Sequence, residues 1–171
     1  MLTSPIIRLP LVIVVALLAQ LTLIADMRVF EATGDVLLLL AICAGIAAGP
    51  ERAAITGFAA GIAFDLVLET PFGLSALSYC IVGYVVGRVQ TGILRSAWWV
   101  PMVTTALASS AGVLLYVMLE AVLGESDLFD MRLLAVVGTV SILNALLSPF
   151  VVRAMRWVFA EDALHTVRAW R

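Results

Sequence analysis

Apolar segments follow one another along almost the whole chain, with only short breaks between them. They cover about 9–25, 36–49, 53–68, 72–87, 97–123 and 133–152. The hydrocarbon core of a bilayer takes a helix of about 20 mainly apolar residues. Within it every backbone N–H and C=O must be satisfied internally. A chain with this pattern is therefore expected to be an all-α integral membrane protein, a bundle of six transmembrane helices forming a single domain. Of its 171 residues, 63% are hydrophobic and 13% charged, against about 45–50% and about 25% in soluble domains. Six spans use roughly 120 residues, which leaves no room for a separate soluble domain of ordinary size.

The first segment, with Arg8 ahead of it, has some features of a secretion signal. It is longer than the usual apolar stretch of such signals, and further apolar segments follow at once, so it reads as a retained first helix. Segments two to four are short and are joined by tight Pro-containing turns at Pro50 and Pro71. Short or irregular helices at membrane depth need cover from other protein, so this part is expected near the centre of the bundle.

The charges orient the chain. All ten basic residues are Arg, and basic residues favour the cytoplasmic side of a membrane. With six spans, Arg8, Arg52, Arg88, Arg95, Arg153, Arg156, Arg168 and Arg171 share the face of the two termini. Arg28 and Arg132 fall on the other face. Both termini are then expected in the cytoplasm. Asp26, Glu31, Asp35, Glu69, Glu125, Asp127 and Asp130 read as solvated outer-loop residues. Trp98 and Trp99 suit an interfacial aromatic belt. The tail 157–171 reads as a short amphipathic helix on the inner leaflet, and its His165 as a surface residue. A net charge of −2, with no basic patch, gives no sign of a nucleic-acid partner.

No pattern points to catalysis. There is no HExxH pair for zinc, no serine with an intramembrane histidine and no carboxylate cluster for Mg²⁺. No cofactor or metal is implied. Cys43 and Cys80 lie in apolar runs and read as small buried hydrophobes.

The most informative segment is 50–88, together with the end of the apolar run before it. Ala41, Gly45 and Gly49 recur every four residues, as do Ala53, Gly57, Gly61 and Asp65, and then Gly83 and Gly87. Residues four apart share one helix face, and small residues there let two backbones approach closely. These stripes are candidates for helix packing or for receiving a partner helix. Leu39, off the stripe, is expected to tolerate alanine. Asp65 stands out as an acidic residue inside a span, where a charge costs at least ~2.5 kcal/mol. It is expected to face the interior, with Ser75, Ser78, Tyr79 and Asn144 as candidate partners. Pro71 suits the first turn of the next helix, and Gly73 permits close approach of a neighbour.

Gly57, Gly61 and Asp65, then Pro71, Gly73, Leu74, Ala76, Leu77 and Tyr79, then Gly83 and Gly87 together resemble the rod shape-determining protein MreD family. Length and six-span layout agree along the whole chain. The resemblance implies a non-enzymatic scaffold in the bacterial plasma membrane. Its partner would be MreC, within the lateral-wall elongation machinery that also holds a RodA-type glycosyltransferase and a class B penicillin-binding protein. It also implies a fold similar to the substrate-binding subunits of energy-coupling-factor transporters. Such a vitamin-transporter subunit is the alternative reading. Against it, Ala16 and Ala19 are spaced three apart rather than four, and the outer loops lack a polar and aromatic cluster.

Overall fold

The protein is described here by a computed structural model covering residues 5–26, 35–67, 72–90, 99–122 and 131–160. These form six α-helices: α1 Pro5–Asp26, α2 Val36–Ala48, α3 Pro50–Asp65, α4 Leu74–Gln90, α5 Val100–Val122 and α6 Met131–Val158. No strand occurs among the described residues. Two helical stretches, Val100–Val122 and Leu134–Val158, are long and apolar enough to cross a membrane, while Ile7–Thr22 and α2 are shorter apolar helices. With 13 residues, α2 is about 20 Å long, short of the roughly 30 Å hydrocarbon core.

Helix α2 is the axis of the bundle and packs against all five others. From Leu37 to Cys43 no residue is more than 2% exposed. An all-apolar helix is buried on every side, and the run VLLLLAICA has no polar face to turn outward. This overturns the expectation for Leu39, which is fully enclosed; its truncation would open a cavity in the core.

Large apolar side chains also cover the outside, and polar ones lie beside the apolar core. Leu107, Leu134 and Phe150 are 68–75% exposed, while Thr56, Ser75, Ser78, Thr105, Ser109 and Asn144 are fully buried. Apolar side chains on the outside gain nothing in water but match lipid, and buried polar groups must then bond within the protein. Several hydroxyls do so along their own helix. Thr56 donates to the Arg52 carbonyl at 2.8 Å and Ser78 to the Leu74 carbonyl at 3.0 Å. Pro149 lies inside α6 and cannot donate to the carbonyl of Ala145. The hydroxyl of Ser148 takes that place at 2.8 Å, so the helix continues past the proline.

The helix limits differ from the apolar runs for local reasons. Helix α3 starts at Pro50 rather than residue 53, because proline fits the first helical position, where its missing N–H costs nothing. Gly49, at φ +91°, serves both neighbouring helices. Its N–H donates to the Gly45 carbonyl at the end of α2, and its carbonyl accepts from Ala53 N–H at the start of α3. Helix α4 starts at Leu74 because Gly73 before it is left-handed, at φ +96°. Helix α6 runs through Val158, so residues 157–158 belong to it and not to a separate tail. The tail from 161 onward, with His165, lies outside the described residues, as do Pro71, Trp98, Arg28, Arg95, Arg168 and Arg171.

Candidate functional site

The small-residue stripes meet one another. A Cβ on Gly57 would fall within 3.0 Å of the Tyr79 and Cys80 backbone, and one on Gly61 against the Ala76 backbone. On α2, a Cβ on Gly45 would lie 2.9 Å from the Gly83 carbonyl oxygen and the Gly87 nitrogen. Gly83 in turn faces the carbonyls of Ala53 and Ala41, and Gly87 faces Pro50 and Gly49. Helices α2, α3 and α4 therefore interlock backbone to backbone, and Ala41 and Ala53 are fully buried in the joint. Every stripe residue named from the sequence lies in this contact or at its Gly49 turn. Gly73 stands apart, at the start of α4.

Asp65 ends α3 and is 4% exposed. Its Oδ2 accepts from the N–H of Gly73 at 2.8 Å and of Ala76 at 3.4 Å, and its Oδ1 from the N–H of Ser75 at 3.3 Å. The carboxylate thus caps the start of α4, where the first N–H groups of a helix have no intrahelical partner and the dipole favours negative charge. It faces inward, but it bonds to backbone amides. The hydroxyls of Ser78 and Tyr79 are used elsewhere, and Asn144 bonds to other groups.

A second polar node gathers Gln20, which the sequence reading left aside, with Asp35, Tyr79 and Asn144, which it placed elsewhere. Asp35, read there as a solvated loop residue, is instead the N-cap of α2 and only partly exposed. Its Oδ1 accepts from Leu38 N–H at 2.9 Å, and its Oδ2 accepts from the Tyr79 hydroxyl at 2.6 Å. Gln20, on α1 and 2% exposed, accepts from the next two amides, Val36 at 2.8 Å and Leu37 at 3.2 Å. The Nδ2 of Asn144 donates to the Asp35 carbonyl at 3.2 Å and to the Ser109 hydroxyl at 3.0 Å. Four helices are thus tied to the start of α2. Two sequence signals pointed here: the Thr-Gly-Asp ahead of an apolar run, which is a helix-start pattern, and a glutamine inside a span, which demands a partner.

Beside this node lies a cavity of about 290 Å³ to which each helix contributes a wall. Gln20 comes from α1, Leu38 from α2, Phe64 from α3, Tyr79 from α4, Tyr116 from α5 and Val140 from α6. Asp35 also lines it. The Phe64 and Tyr79 rings stand 6.2 Å apart at 40°.

The opposite end of the bundle carries arginine. Arg8 donates to the Trp157 carbonyl at 3.1 Å, and its guanidinium lies 4.5 Å from the centre of the Trp157 ring. Arg52 lies 5.5 Å from the centre of the Phe159 ring. The start of α1, the start of α3 and the end of α6 are thereby gathered at one end. The end of α4, with Arg88, joins them because Gly87 packs on Pro50. Cys43 is buried, with its Sγ 3.9 Å from the Ser148 carbonyl, and Cys80 is half-buried. Among the described residues no group of His, Cys, Asp or Glu is placed to hold a metal ion.

An apolar exterior, an apolar core laced with small and hydroxyl residues and two helices of membrane-crossing length define an α-helical membrane protein. Residues 3–159 match the family model of the rod shape-determining protein MreD, and the chain belongs to that family. It is thus a protein of the cell-shape machinery, from a structural family of shape-determining proteins rather than a known enzyme family. No curated protein and no solved structure matches it.

Proposed function

We propose that this chain is a non-enzymatic scaffold of the elongation machinery. It crosses the bacterial plasma membrane six times, has both termini in the cytoplasm and binds MreC. A RodA-type glycosyltransferase and a class B penicillin-binding protein complete the assembly. Membership of the MreD family over residues 3–159 is the observation that carries this reading. The segregation of Arg8, Arg52, Arg88 and Arg156 to one end of the helices supports the orientation. A fold similar to the energy-coupling-factor substrate-binding subunits is part of this reading, and the count of six helices agrees with it.

The glycine stripes hold α2, α3 and α4 together. A partner helix then meets the apolar outer faces of the bundle, where residues such as Phe58 and Ile81 are exposed. Loops this short cannot by themselves supply about 800 Å² per partner, so much of the contact lies within the membrane. Tagged MreC, extracted from native membranes in mild detergent, should carry this chain with it in comparable amount. Recovery no higher than from an untagged strain would refute the reading.

A further inference from the structure

The cavity beside Asp35 has a chemistry that the scaffold role does not use. Its lining combines one carboxylate, the rings of Phe64, Tyr79 and Tyr116, and apolar side chains such as Val136 and Val140. Asp35 accepts from Leu38 N–H on Oδ1 and from the Tyr79 hydroxyl on Oδ2, and both oxygens belong to a residue that lines the cavity. None of the described lining residues is basic, so none of them balances its charge. Aromatic rings beside a carboxylate are the combination that recognises organic ammonium groups, through charge pairing and cation–π attraction. Three buried oxygens, Ser75 Oγ, Thr105 Oγ1 and Asn144 Oδ1, have no hydrogen-bond partner among the described residues. Ser75 and Asn144 do not line the cavity themselves but lie one helical turn from the lining residues Tyr79 and Val140, on the same helix faces. The size fits a small molecule, near the lower end of ordinary ligand pockets at about 300 Å³.

We propose that this cavity binds an organic ammonium group attached to a small apolar body, with the nitrogen on Asp35 and the body among the rings and valines. It lies at the end of the bundle away from the arginines, so the ligand enters from that face. A free amine and an ethanolamine lipid headgroup both carry such an ammonium, and the binding chemistry is the same.

The test uses the full chain in nanodiscs of phosphatidylglycerol alone, with 2-phenylethylamine as the probe and 3-phenylpropionate as its counterpart of opposite charge. Calorimetric titration should show saturable binding of the amine and none of the carboxylate. Asp35→Asn should weaken amine binding tenfold or more. Val136→Phe, at a half-buried lining position, narrows the cavity, leaves Asp35 in place and should do the same. Adding phosphatidylethanolamine to the nanodisc assigns the source: a weakened apparent affinity means the headgroup enters, and an unchanged one means a free amine is the ligand. No saturable amine binding, equal binding of the carboxylate, or both variants binding like the unsubstituted chain would overturn the proposal.

Discussion

Replacing Asp65 by leucine removes the acceptor for three amides at the start of α4, at 2.8, 3.3 and 3.4 Å. The residue is 4% exposed, so water cannot take over. A buried donor left unsatisfied costs about 1–3 kcal/mol, and loss of a helix cap typically about 1 kcal/mol. The three amides share one carboxylate and two bonds are long, so the terms do not add in full; a total of roughly 3–5 kcal/mol is expected for a broken buried network. Asp65→Asn keeps an oxygen in place, and asparagine caps about as well as aspartate, so its cost should be about 1 kcal/mol. Leu66→Ala, one residue on and 71% exposed, should change stability by less than about 0.5 kcal/mol. Reversible unfolding in mixed detergent micelles, followed by circular dichroism, measures all three, and membrane accumulation should fall in the same order. If Asp65→Leu unfolds within about 1 kcal/mol of Leu66→Ala, a span well below the loss expected for a buried cap, the cap contributes little and this reasoning fails.

Gly57→Ala and Gly61→Ala push a Cβ into α4 backbone, which cannot swing aside; each should cost at least about 1–3 kcal/mol and the leucine variants more. Gly138→Ala has open space around its Cβ and should be neutral or gain up to about 1 kcal/mol of helix propensity; equal effects at the three positions in the same unfolding assay would sink the interlock. Tyr79→Phe deletes the 2.6 Å bond to Asp35, and a hydrogen bond to a charged group is worth about 1.5–3 kcal/mol, so an unchanged unfolding midpoint would show that the node is not coupled to stability.

Much of the fold was legible because a bilayer leaves few choices. Apolar length, Pro50 and the glycine spacing located α2, α3 and α4 and their close contact. Asp65 was placed inward from the cost of a charge in a span, but its partners were sought among side chains. The amides it caps belong to the turn that follows its own helix, and residue type does not reveal backbone donors. Asp35 was misread because loop acids are usually solvated. Only the fold brings Gln20, Tyr79 and Asn144 to it, from 15, 44 and 109 residues away along the chain. The burial of Leu39 was missed because a stripe of small residues suggests one packed face, whereas α2 has no unpacked face at all.

The central claim is that all six helices form one membrane-crossing bundle, with its arginine end inside the cell and its cavity end outside. Single cysteines placed at Asp127 and at Ser96, in a chain with Cys43 and Cys80 replaced by alanine, test it most directly when intact spheroplasts are treated with a membrane-impermeant maleimide. The account predicts labelling at Asp127 from outside, and at Ser96 only after the membrane is broken. Labelling of Ser96 in intact spheroplasts, or protection of Asp127, would contradict it.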